Sequence, residues 1–111
     1  MKDLRFARGS VLEALREERA KDRWGWHLTG LSKGEIRIGW KYLDWLGEKK
    51  DFGITIHEDC DEMWLMAKMP DCIDENPVIT IGDSRWDDAK TIEDGAAAMV
   101  HRVAMLARAR W

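Results

Sequence analysis

The sequence predicts an α+β fold: an N-terminal helix, about five strands in an antiparallel meander, and a C-terminal helix packed on one face of the sheet. Three observations predict it. Apolar residues recur at helical spacing near both ends, they alternate with polar residues through the middle, and the gaps between the alternating runs are too short for parallel crossovers. At 111 residues, 45% apolar and 35% charged, the chain is read as a single domain spanning 1–111 with one core.

The first helix is expected from Ser10 to about Asp22. Ser10-Val11-Leu12-Glu13 fits a capping box, in which hydroxyl and carboxylate each satisfy a free N–H at a helix start. Val11, Leu12, Ala14 and Leu15 supply a short apolar stripe. Residues 3–8 suggest an earlier turn that Gly9 interrupts.

From Trp24 to Ile81 the period becomes two. The runs are Trp24, Trp26 and Leu28; Ile36, Ile38, Trp40 and Tyr42; Phe52, Ile54 and Ile56; Met63, Leu65, Ala67 and Met69; and Val78 to Ile81. Ser32-Lys33-Gly34, Gly47 to Asp51 and Asp59-Cys60-Asp61 are hairpin-length connections. Leu43 to Leu46 slips out of phase, as a bulge or a helical turn would. Pro70 and Pro77 bracket a polar loop. Thr91-Ile92-Glu93-Asp94 opens the last helix, and Ile92, Ala96, Met99, Val103 and Leu106 form its buried stripe.

Several function classes lose support at this level. No apolar stretch reaches membrane-spanning length, so no membrane association is expected. Two cysteines, Cys60 and Cys72, are too few for a disulfide scaffold and point to a reducing, cytoplasmic setting. His27, His57 and His101 fall on two strands and a helix without a catalytic motif around them. His57, Cys60 and Cys72 with the acids between them are metal-ligand types, but their spacing is not that of a zinc site, so neither a metal nor a cofactor is expected. Gly30, Gly34 and Lys33 miss the phosphate-loop order.

Charge carries the most information. Residues 1–50 hold twelve Lys or Arg against eight Asp or Glu, whereas residues 58–94 hold twelve acids against Lys68, Arg85 and Lys90. In a meander every second connection emerges at the same end, so the 58–62 hairpin and the 83–88 connection share one. An acidic end of this kind steers basic partners and repels nucleic acid, whose phosphates need a basic footprint. Arg5, Arg8, Arg16, Arg19, Lys21 and Arg23 keep a minor nucleic-acid alternative in view.

Seven tryptophans add a second theme, since Trp is enriched at interface hot spots. Trp40, Trp45 and Trp64 are assigned to the core, and Trp24, Trp86 and Trp111 to a contact surface.

The expectation is a non-enzymatic protein-binding module that occupies a basic site on a nucleic-acid-handling or toxin protein. The partner-binding residues nominated are Glu58, Asp59, Asp61, Glu62, Asp83, Trp86, Asp87 and Asp88. In size and economy the chain resembles small stand-alone inhibitors such as anti-CRISPR proteins and toxin-neutralising immunity proteins, although no motif matches a family. Two alternatives stand beside it: a homodimeric secretion-type chaperone, and a small enzyme or ligand-binding domain with a pocket between sheet and C-terminal helix using His57, His101 or Cys60.

Overall fold

The computed structural model describes residues 3–21, 25–41, 49–59, 62–68, 78–83 and 89–110. Their order is a short 3-10 turn, η1 (Leu4–Ala7), then α1 (Arg8–Lys21), β1 (His27–Leu31), β2 (Glu35–Lys41), β3 (Lys49–Asp59), β4 (Glu62–Lys68), β5 (Val78–Asp83) and α2 (Ala89–Arg110). The five strands form one sheet in the order β1-β2-β3-β4-β5, and every neighbouring pair is antiparallel. This is the expected meander. The stretch 43–46, the loop between the prolines, Cys60 and Cys72 lie outside the described residues.

The helical region starts earlier than the capping box suggested. Asp3 takes the capping role instead, accepting the Arg5 N–H through Oδ1 at 3.0 Å, and Ser10 lies inside α1. Burial explains the shift. Leu4 and Ala7 are buried and continue, at spacings of three and four, into Val11, Ala14 and Leu15, so the stripe begins a full turn before Ser10. Gly9 is exposed on the opposite side, where lacking a side chain forfeits no packing. The Leu4 N–H donates to the Lys33 carbonyl at 2.8 Å, tying the helix start to the β1–β2 turn and satisfying a donor that the helix cannot.

The helices and the sheet share one core. Ile36, Ile38 and Trp40 from β2, Phe52 and Ile54 from β3, and Leu65 and Ala67 from β4 are buried. They meet the α1 stripe and Ile92, Ala96, Met99, Val100, Val103, Ala104 and Ala107 of α2. Trp26 anchors the sheet's first corner, its ring 6.3 Å from Trp40 and 5.9 Å from Phe52, within the range of favourable tilted aromatic contact. Arg19 Nη1 donates to the Trp26 carbonyl at 2.6 Å, strapping the end of α1 to the start of the sheet.

Both outer strand pairs carry an irregularity. In β1–β2 the register passes from Leu28 opposite Ile38 to Gly30 opposite Arg37, leaving Thr29 as the extra residue. In β4–β5 it passes from Trp64 opposite Thr80 to Met63 opposite Gly82, leaving Ile81. Such bulges increase local twist and discourage edge-to-edge pairing.

Candidate functional site

The alternation that buries Ile54, Leu65 and Ala67 sends the intervening residues to the other face of the sheet, away from both helices. Glu35, Arg37, Asp51, Thr55, His57, Trp64, Met66 and Lys68 lie there, half-buried or exposed. This face divides into two chemically different halves.

Toward β1 and β2 the polar groups satisfy one another. Arg37 is paired with Asp51 and lies 3.7 Å from Glu35 Oε1, and the Thr29 hydroxyl donates to Asp51 at 3.2 Å. Gly53, between Glu35 and Arg37, leaves the room these side chains cross: a Cβ there would stand 3.1 Å from Glu35 Oε2.

Toward β3 and β4 the face is aromatic and apolar. His57 and Trp64 are opposite one another in register and stack with planes 11° apart and centroids 5.9 Å apart. Near-parallel rings at that separation are offset, which leaves part of each face uncovered. Thr55 fixes the imidazole. Its Oγ1 lies 2.9 Å from His57 Nε2 and 3.4 Å from the Met66 carbonyl, and both contacts are satisfied when the hydroxyl donates to the carbonyl and Nε2–H donates to the hydroxyl. Trp64, assigned to the core from sequence, therefore stands on the open face. The periodicity of its neighbours overrides the general tendency of Trp to be buried.

The nominated acids fall at the end of these same strands. Asp59 is directly opposite Glu62, and Glu62 directly opposite Asp83, so three carboxylate-bearing residues occupy one row across β3, β4 and β5. Asp59 is two residues beyond His57 along β3, and Glu62 two before Trp64 along β4. Glu58 is opposite Met63, one step out of the row. Asp61, Trp86, Asp87 and Asp88 lie outside the described residues, as do Trp24, Trp45 and Trp111.

The histidines do not converge. His27 is exposed on β1, its Nδ1 2.7 Å from the Gly25 carbonyl, and His57 is on the open face. His101 is on α2 across the sheet, its Nε2 3.2 Å from Glu17 Oε2 and its Nδ1 3.6 Å from Glu18 Oε1. The pocket expected between sheet and C-terminal helix therefore does not gather His57 with His101. Among the described residues no three His, Cys, Asp or Glu are grouped to hold a metal ion, and no helix is long and apolar enough to cross a membrane.

Two features were missed by the sequence reading. One is an ionic knot across the α1–α2 seam, where Glu18 is 1% exposed. Arg108 Nη1 lies 3.2 and 3.4 Å from its carboxylate oxygens and Nη2 donates to its carbonyl at 3.3 Å, while Lys21 Nζ is 3.3 Å from Oε1. Burial pushes the Glu18 carboxyl up, but the bonds and charges of Arg108 and Lys21 more than offset it and hold the group below its ordinary range. The other is a groove of about 380 Å³ along α1, lined by Gly9, Leu12, Glu13, Arg16 and Arg19.

No family model, curated protein or solved structure matches the chain.

Proposed function

We propose that the protein is a non-enzymatic binding module that uses the acidic end of its sheet to occupy a basic site on another protein, in the manner of a small inhibitor or antagonist. The observation that carries this reading is the row Asp59, Glu62, Asp83 across three adjacent strands. Like charges at directly opposed strand positions disfavour the fold. The isolated domain bears that cost, and a cationic partner relieves it.

The wider sequence supports the same direction, with twelve acids against three bases in residues 58–94. At strand spacings of about 4.8 Å the row forms a short line of negative charge. Such a line suits a surface built for phosphates, hence the expectation of a nucleic-acid-handling or toxin protein as target. Direct nucleic-acid binding is not favoured, because the basic helix face is already engaged or interrupted. Arg5 is held by Asp3 at 2.6 Å, Arg19 bonds the Trp26 carbonyl, and Glu13 and Glu17 lie among the cations of α1. The cytoplasm is the proposed setting, with Cys60 and Cys72 as free thiols, and a homodimer would form through another surface, since the acidic row repels its own copy.

The test is affinity capture from the native cell with the wild-type chain and with an Asp59→Lys/Glu62→Lys variant. Specific capture is expected to fall with rising salt and to vanish in the variant. A variant that folds and captures the same proteins at the same salt would sink the reading.

A further inference from the structure

Resting on that reading, we infer that the open sheet face selects arginine over lysine in its partner: the offset His57–Trp64 stack is a platform for a guanidinium whose charge the neighbouring acidic row balances. Among the described residues, the proposal concerns the part of the open face whose polar groups leave an aromatic surface uncovered. Toward β1, the guanidinium of Arg37 is already placed between Asp51 and Glu35, so that half presents an ion-paired polar surface. Toward β4, His57 is exposed and Trp64 and Met66 are half-buried, an apolar and aromatic patch.

Three features of the patch suit arginine. A planar, weakly hydrated guanidinium stacks on aromatic faces, whereas an ammonium is a compact and strongly hydrated point charge. The rings are pre-positioned, His57 by Thr55 and Trp64 by its stacking against His57, so little ordering cost remains on binding. Finally, Asp59 and Glu62 stand two residues along their strands from His57 and Trp64, about 6.6 Å at the usual strand rise. That is within the span of one arginine side chain, so a segment crossing the strand end reaches both features. Charge complementarity thus names the occupant: an arginine-bearing segment of a basic protein.

The experiment uses the intact chain and two capped peptides of equal length and charge, Gly-Arg-Gly-Arg-Gly-Arg-Gly and its lysine twin. Binding is followed by amide and indole chemical shifts in ¹H–¹⁵N spectra, which also report folding of each variant. The arginine peptide is expected to bind roughly fivefold tighter, the size of a cation–π contact at a partly exposed site, with the largest shifts at His57, Trp64 and Met66. Trp64→Thr, which suits a strand, should erase the preference, and Trp64→Phe should keep most of it. Equal affinity for the two peptides, or a preference that survives Trp64→Thr, overturns the inference. If both peptides bind equally and both are lost in Asp59→Lys/Glu62→Lys, the acidic-row function stands without the platform. If neither binds, or the charge reversal changes nothing, both readings fall.

Discussion

Replacing Arg108 with Met removes the main counter-charge of Glu18 while keeping an unbranched side chain on α2. Glu18 is 1% exposed and would be left with Lys21 at 3.3 Å and His101 Nδ1 at 3.6 Å. Removing one partner of a buried ion pair costs about 3–5 kcal/mol. Arg108 keeps 28% of its side chain in solvent and Lys21 still compensates, so about 2–3 kcal/mol is expected here. Urea unfolding at pH 7 should then show a midpoint lower by roughly 1–2 M. The pH dependence gives a second reading. Glu18's folded carboxyl is held below its ordinary value of 4.5, so its contribution is complete above that value and is lost as pH falls through the lowered one. The variant loses most of that contribution at the outset, so the gap between the two proteins should be widest near pH 7 and narrow below about 4.5. The double variant Glu18→Leu/Arg108→Met should recover most of the loss, because no unpaired buried charge remains. A single variant within about 0.5 kcal/mol of wild type, or a gap that does not change with pH, would refute the argument that this knot holds α1 to α2.

Three further outcomes follow from the packing. Phe52→Leu, beneath Trp26, should cost about 1–2 kcal/mol by calorimetry without changing the fold, since the volume lost is modest and the site stays apolar. Gly53→Ala should stabilise by about 0.5 kcal/mol in the same assay: among the described residues the new methyl meets only the ends of the Glu35 and Arg37 side chains, and the closer of them, Glu35, can swing away. Asp3→Ala should leave the Arg5 amide unprotected in hydrogen exchange while the α1 interior keeps its protection. Because Arg5 holds the Asp3 carboxyl down to about 2, wild-type protection at that amide should persist from neutral pH until the pH falls toward that value.

Much of the fold was legible because its elements obey their periods. Alternation found all five strands, and the spacing of Ile92, Ala96, Met99 and Val103 found α2. The helix start was misread because a good capping box at Ser10 competed with burial of Leu4 and Ala7, and burial is the larger effect. Trp64 was misplaced although the clue was present: the alternation that puts Leu65 and Ala67 inward puts Trp64 outward. The stack was not legible, since a connection read as residues 59–61 sets 57 opposite 63, one position from the observed pairing of His57 with Trp64. Nor was the Glu18–Arg108 knot, because its partners are 90 residues apart: the stripe of Val11, Ala14 and Leu15 extends to Glu18 and not Glu17, but it names no partner.

The acidic row depends on how Ile81 is accommodated. Were Ile81 paired with Met63 in a regular ladder, Gly82 would stand opposite Glu62 and Asp83 one position beyond it; with Ile81 left out of the ladder, Asp83 comes opposite Glu62 instead. A shift of one residue in register therefore sets whether the row holds two charges or three, while the pairing from Trp64 to Met66 is left untouched. Deleting Ile81 would remove the bulge and keep Asp83 in the row. In any relative of this chain, an acid at the position of Asp83 would join the row where the residue before Gly82 is bulged or missing, and would leave it where that residue is paired.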